Sequence, residues 1–376
     1  MNAAHRGPLP VSHPARRQSI DWARGIAVLL MLEAHTVDAW TRPASRAGRL
    51  FADAVMLGGL AAPLFLWLAG IGVALAAERA ASRAGRRGAG VEAVCRRGLE
   101  IFILAFLFRL QSFVVTPGNP AVMLFRVDIL NVMGLAMAAA ALLWGVHGTR
   151  ALVVSVYAAA AAAVGILTPV VRAWPAVDRL PLWIQWHLRP AGEYTTFTLF
   201  PWAGFVFAGA ACGDVLAGAH DRAEQDRVHR WLFGAGALAA AGGCWLAGRP
   251  SLFAQSAFWT SSPTYFMIRI GLLTMGLTAC YVVERASAAG ARSGGPLARL
   301  GRSSLFVYWI HVELVYGYAS WALHGRLPLW GVGVGCSLLA VLMYGAVAAR
   351  DRFMAAWREH RSWVRPLHQS GISRFV

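Results

Sequence analysis

Arg24, Glu33, His35 and Asp38 fall within one otherwise apolar run, SIDWARGIAVLLMLEAHTVDAW, at residues 19–40. A charge at the centre of a bilayer costs at least about 2.5–3.5 kcal/mol, so each of these groups needs a reason to be there. His35 and Asp38 are three positions apart and share a helical face. A carboxylate so placed can orient an imidazole and stabilise its protonated form, which makes a general base. Glu33 lies round the helix from His35 and is expected to pair with a different helix. Arg24 and His35 are eleven positions apart, about 16 Å along a helix axis. One helix therefore offers an anion binder near one membrane face and a base toward the other. The spacing also fits a plainer reading: a His–Asp pair that joins helices, and an arginine that snorkels to the interface.

Further ionisable groups lie at or in later apolar runs. Arg109, Arg126 and Asp128 flank the third and fourth, Arg269 sits in the eighth, and His311 and Glu313 sit in the ninth. Interhelical pairing is the default expectation for these. His311-Val-Glu313 has the form of the deaminase HxE, but no PCxxC follows it, so zinc chemistry is not expected. The five cysteines show no metal-ligand spacing and read as small core residues. No Walker loop, no GxGxxG after a strand, no HExxH and no GxSxG is present. Hydride transfer, ATP-driven chemistry and zinc hydrolysis are unsupported.

The elements that position these groups follow from composition. Of 376 residues 57% are hydrophobic and 14% charged, against about a quarter charged in soluble domains. The chain is expected to be an all-α, polytopic membrane helix bundle. A span needs about 20 largely apolar residues, and ten candidates stand at roughly 20–40, 54–77, 98–116, 127–146, 151–171, 196–217, 231–248, 264–283, 303–323 and 328–349. No segment alternates with the period of a membrane β-strand. The net charge of +17 is all arginine, clustered between the apolar runs rather than in one patch. That is the pattern of cytosolic loops, not of nucleic-acid binding. With both termini inside, 23 arginines fall in inner loops and tails and nine in outer loops, so the expected topology is N-in, C-in. Residues 1–18 have no apolar h-region and read as a cytosolic tail. Residues 350–376 read as a basic cytosolic tail. The outer connection 172–195 holds Trp174, Trp183, Trp186, His187, Glu193 and Tyr194. It fits an aromatic belt at the headgroup level, or a lid whose rings stack on a sugar.

The run from Ser19 to Met31 followed by His35 resembles the opening of membrane acyltransferases, and the R-x10-H spacing of Arg24 and His35 matches the acyltransferase-3 group. With His35-x-x-Asp38 included, the stretch is more similar to bacterial relatives of heparan-α-glucosaminide N-acetyltransferase. Pro63-Leu-Phe-Leu-Trp-Leu-Ala-Gly70, Asp128-Ile-Leu-Asn-Val-Met-Gly134 and Phe197-Thr-Leu-Phe-Pro-Trp-Ala-Gly-Phe205 resemble that family's second, fourth and FPW-containing spans. Leu300-Gly-Arg-Ser-Ser-Leu-Phe-Val-Tyr-Trp-Ile-His311 resembles a block shared across the superfamily. Two features differ. The animal enzyme carries its catalytic histidine in the loop after the first span, whereas residues 41–53 here hold none. The acyltransferase-3 RxxR motif is incomplete, because Arg97 is followed by Glu100.

The resemblance implies a transmembrane acyltransferase domain over residues 19–349, in a multi-pass protein of the cell (inner or plasma) membrane. It implies acetyl transfer from cytosolic acetyl-CoA to a sugar amine or hydroxyl on the outer side, such as an envelope glycan, with no metal. His35 would be general base or nucleophile, held by Asp38, with Arg24 below the reactive thioester. Arg96, Arg97, Arg299 and Arg302, at cytosolic helix ends, are the candidates for the CoA phosphates, which favour arginine forks. Positive-inside topology accounts for the same four arginines. Asp128, Arg126, His311 and Arg109 are candidates to complete the pocket, and a homodimer is compatible with the sequence. A transporter or flippase of a small polar or lipid-linked substrate is the competing class, although the two halves lack matched broken helices. A scaffold would leave Arg24, His35 and Asp38 on one helix unexplained.

Overall fold

The computed structural model describes residues 17–115, 118, 120–287 and 295–369, with side chains to Arg358. Residues 1–16, most of the expected N-terminal tail, and 370–376, the end of the C-terminal one, lie outside the described residues. The fourteen α-helices among the described residues are α1 Gln18–Trp40, α2 Arg49–Gly58, α3 Ala61–Ala84, α4 Arg87–Val115, α5 Ile129–Trp144, α6 Arg150–Ala173 and α7 Leu182–Leu188. They continue as α8 Leu199–Ala217, α9 Arg222–Ala247, α10 Phe258–Ser261, α11 Pro263–Ser287, α12 Pro296–Arg302, α13 Ser304–Tyr316 and α14 Leu329–Gln369. No strand forms among the described residues beyond two isolated bridges, Thr41 with Leu327 and Val127 with Thr195. The fold is all-α, as the apolar runs require.

Each of the ten expected apolar segments is built on a helix. Among the described residues six helical stretches are long and apolar enough to cross a membrane, α2 and α3 counting as one. The apolar helices α5 and α13 are shorter, at 16 and 13 residues. α1 and α9 have the length of a span, 23 and 26 residues, but carry more charge. Helix α14 runs on through residue 369, so the described part of the expected C-terminal tail continues the last helix. The end of the bundle at which α1 starts is termed inner below, after the arginine bias, and the opposite end outer.

Two hydrophobic clusters organise the bundle. One is centred on α3 and α8 and holds Trp67, Ile71, Phe205, Val206 and Tyr157. The other joins α1, α13 and α14 through Val28, Leu32, Trp40, Val307 and Met343. α3 and α8 cross so closely that a Cβ at Gly209 would fall on the Trp67 carbonyl oxygen, and one at Gly70 on the Val206 carbonyl oxygen. Small residues at such crossings let membrane helices pack by van der Waals contact and weak hydrogen bonds. Gly209→Ala is therefore expected to destabilise the protein by about 1–3 kcal/mol through overpacking. Gly234→Ala, on α9, would place its methyl group in open space, with no atom within 4 Å. It is expected to be neutral or to stabilise by up to about 1 kcal/mol. Thermal unfolding of the two variants in detergent checks the contrast, and equal midpoints would contradict the tight crossing.

Helix α8 does not begin as a regular helix. Phe200 has extended φ/ψ of −105° and 115°, and the Phe200–Pro201 peptide is cis. Its carbonyl accepts from Thr198 Oγ1 at 2.6 Å and from Arg172 at 2.9 Å, so the freed backbone group is satisfied. The FPW block thus marks a break that aims Phe197 and Trp202 at the interior.

Candidate active site

A cavity of about 1110 Å³ runs between the two clusters. α1, α3, α4, α5 and α13 supply most of its walls, and Trp202 and Arg269 reach it from α8 and α11. Along α1 the lining extends from Arg24 to Asp38, a rise of about 21 Å. Arg24 and Arg97 line its inner half; His35, Asp38, Arg109, Arg126, Asp128 and Arg269 line its outer half.

His35 sits where α1 meets α13. Its Nδ1 is 2.8 Å from Nε2 of His311, and the two rings lie edge to edge and nearly coplanar, with planes 2° apart and centroids 5.0 Å apart. Tyr316 approaches the His35 ring edge-on, at 5.5 Å between centroids. His311 is wholly buried, and its Nδ1 is 2.9 Å from the Val307 carbonyl oxygen one turn back. A carbonyl only accepts, so the proton on His311 is at Nδ1 and its neutral Nε2 is an acceptor. His35 must then donate from Nδ1, which leaves the lone pair on its Nε2. That atom has no hydrogen-bond partner among the described residues, and the ring faces the cavity. The chain of two imidazoles therefore selects one tautomer of His35 and presents a basic nitrogen to the cavity.

The partner of the imidazole is thus His311, not Asp38. Asp38 shares the helical face with His35, but its Oδ2 accepts from Tyr316 OH at 2.8 Å, one layer closer to the outer surface. Arg46 closes the end of α1 over it by donating to the carbonyls of Asp38 and Thr41. Glu33 makes no ion pair among the described residues, and its Oε2 is buried without a partner. The expected interhelical ion pair of Glu33 is therefore not found among the described residues.

Asp128 is the hub of a second group. It is the N-cap of α5 in a capping box: its side chain accepts from the Ile129 amide at 2.6 Å, and Asn131 Oδ1 accepts from its own amide at 2.9 Å. The same carboxylate forms an ion pair with Arg109 of α4 and accepts from Tyr308 OH of α13 at 3.2 Å. One side chain ties α4, α5 and α13 together at the cavity wall. Arg126, just before the cap, donates to Thr196 Oγ1 at 2.7 Å.

The candidate CoA-binding arginines separate. Arg97 lines the cavity and also pairs with Glu100 at 3.0 Å. Arg96 is largely exposed and pairs with the same glutamate at 3.3 Å. Arg299 bonds Asp351 of α14 at 2.9 Å and lies over the Tyr344 ring. Arg302 stands 4.0 Å from Asp21, which Arg24 approaches to 3.9 Å. Of these four arginines only Arg97 is in the cavity wall, with Arg24 beside it in the inner half. Among the described residues no three His, Cys, Asp or Glu side chains come together to hold a metal.

Sequence reasoning missed Tyr308, Tyr316, Arg46 and Trp202. Tyr308 stands three residues before His311 in a block already singled out, so the i,i+3 face of α13 was there to find it. Trp202 stands in the FPW block. Tyr316 and Arg46 carry no local signal. The connection 172–195 bears on the site from behind: Trp186 stacks on Tyr194 at 4.9 Å and packs with Phe197 and Trp202.

The comparisons agree with this architecture. The family model for the catalytic region of heparan-alpha-glucosaminide N-acetyltransferase matches residues 16–254, which hold α1 to α9 with Arg24, His35, Asp38, Arg109, Arg126 and Asp128. His311, Tyr308 and Arg269 lie beyond the matched stretch. A search of curated proteins finds no match. Since the match covers well over half of its length, this chain belongs to the heparan-α-glucosaminide N-acetyltransferase catalytic family, a family of membrane acetyltransferases.

Proposed function

We propose that the protein transfers an acetyl group from acetyl-CoA, entering from the cytosolic side, to an amine or hydroxyl of a glycan on the outer side. One observation carries the reading: a single cavity joins Arg24 and Arg97 in the inner half to His35 in the outer half. Its volume suits a ligand of cofactor size. The inner arginines suit phosphate or pyrophosphate oxygens, and about 16 Å of helix then separates Arg24 from His35. A pantetheine arm laid along α1 brings its thioester to the imidazole.

His35 Nε2 then accepts a proton from the attacking amine or hydroxyl as its nitrogen or oxygen bonds to the acyl carbon. The C–S bond breaks, the electron pair leaves with the CoA sulfur, and the proton on His35 passes to that thiolate, so free CoA thiol is released. His311 holds the ring through its Nδ1 proton, as a positioning residue. In the two-step variant Nε2 attacks the thioester itself, giving an acetyl-imidazole that the acceptor then resolves.

The test is thiol release from acetyl-CoA by detergent-purified protein, with and without amino-sugar acceptors. Acceptor-dependent release supports transfer, and a burst of one thiol per protein before acceptor is added assigns the two-step route. Counterflow of a polar solute in liposomes, without thiol release, would replace the proposal by a carrier.

A further inference from the structure

A second cavity, of about 390 Å³, lies between α9 and α11, apart from the one that holds His35. Each helix gives it one face. Asp226, Arg230 and Phe233 follow one another along α9, and Tyr281, Val282 and Arg285 stand on α11 at the matching helical spacing. On α11, Glu284 accepts from the amides of Gln18 and Ser19 at 3.0 and 2.8 Å. This end of the α9–α11 pair is therefore level with the start of α1, at the inner end of the bundle. Asp226 and Arg285 lie nearest that end, and Phe233 is about 10 Å further along α9.

The acids at this end are already engaged. Asp221 and Glu224 form the capping box of α9, and Glu224 also accepts from the His220 amide at 2.7 Å. Asp226 accepts from Tyr281 OH at 2.6 Å and from Arg285 at 3.2 Å. Arg230 forms no ion pair among the described residues, so the wall carries two guanidiniums against one carboxylate. His229, also in the wall, is buried with its ring stacked on Tyr281 at 3.8 Å, and its Nδ1 has no hydrogen-bond partner. Deeper along the helices the side chains turn apolar: Phe233 and Val282 are exposed, as is Trp231 beside Arg230. A basic mouth at the headgroup level above exposed apolar side chains follows the order of parts in a phospholipid, phosphate first and acyl chains below.

We infer that this cavity binds the phosphate of an anionic phospholipid of the inner leaflet. Arg230 takes the phosphate oxygens, Arg285 flanks them while keeping Asp226, and the acyl chains run along Phe233 and Val282. A planar guanidinium fork suits phosphate oxygens, and the surplus positive charge favours an anionic lipid over a zwitterionic one. The site plays no part in acetyl transfer, and it stands or falls independently of that reading.

The experiment titrates the full chain in detergent with phosphatidylglycerol, phosphatidylcholine and, as a soluble source of the same phosphate, glycerol 1-phosphate. Native mass spectrometry counts the bound ligand. Beside the wild type stand R230Q, V282W, which fills the cavity at unchanged charge, and R222Q, which removes an exposed arginine of α9 outside the cavity. The wild type is expected to bind phosphatidylglycerol about tenfold more tightly than phosphatidylcholine. That preference should fall about fivefold in R230Q and at least as far in V282W, and R222Q should keep it. Equal binding of the two lipids by the wild type, or a preference that V282W retains, overturns the site. A loss in R222Q equal to that in R230Q would reduce the effect to diffuse attraction and overturns it as well. Glycerol 1-phosphate bound as tightly as phosphatidylglycerol would replace the lipid by a soluble phosphate. Should R230Q fail to fold, V282W decides alone.

Discussion

Replacing His35 by alanine is expected to lower acceptor-dependent thiol release by about 10³-fold or more, with acetyl-CoA affinity changed little. A positioned general base contributes about 10²–10⁴ in rate, and loss of the nucleophile in the two-step variant costs at least as much. CoA affinity is expected to survive because the inner arginines, Arg24 and Arg97, lie on the far side of the cavity. His311→Ala should act differently. His35 keeps its Nε2 but loses the acceptor that held the proton on Nδ1, so both tautomers and more than one ring orientation become populated. A drop in kcat of about 10–10² with little change in KM is expected, an effect of position rather than of chemistry. Steady-state kinetics on the two variants measure this directly. If His35→Ala turns over like the wild type, His35 leaves the mechanism; if His311→Ala is as damaged as His35→Ala, the two imidazoles share the chemistry.

The second large effect concerns stability. Asp128→Asn removes the counter-charge of Arg109, whose side chain is mostly shielded from solvent, while preserving an N-cap for α5. Breaking a buried ion pair from one side costs about 3–5 kcal/mol, because the other charge stays behind uncompensated. Asp128→Ala should cost about 1 kcal/mol more, through the lost cap. Adding Arg109→Gln to Asp128→Asn should recover much of the loss, so the double variant is expected to be less damaged than the two single effects predict. Reversible unfolding in mixed micelles gives the four free energies. Additive costs would mean that Arg109 and Asp128 do not depend on one another.

Much of the architecture was legible because apolar run length is a strong signal. Each of the ten segments is built on a helix, whereas the capping box of Asp128 with Asn131 emerges only from the structure. What the sequence could not supply was which partner each polar group takes. The spacing of His35 and Asp38 suggests a local pair, yet the imidazole bonds a residue 276 positions away. Only the Asp38 pairing follows from i,i+3 geometry on α1, and the packing of α13 against α1 supplies the other partner. Arg299 offers the same lesson at the inner end. Its charge and position fit a phosphate contact, but α14 brings Asp351 to it. Glu33 shows the converse, a carboxylate expected to find a partner on another helix whose Oε2 is buried without one.

The central claim is vectorial transfer through one cavity, and sided proteoliposomes test it most directly. Protein of determined orientation is supplied with radiolabelled acetyl-CoA on the face bearing the start of α1, and with a membrane-impermeant amino sugar on the other. The account predicts labelled product on the acceptor side, abolished by His35→Ala, and none when the two substrates are exchanged between faces. Product that forms only when donor and acceptor share one face would contradict it.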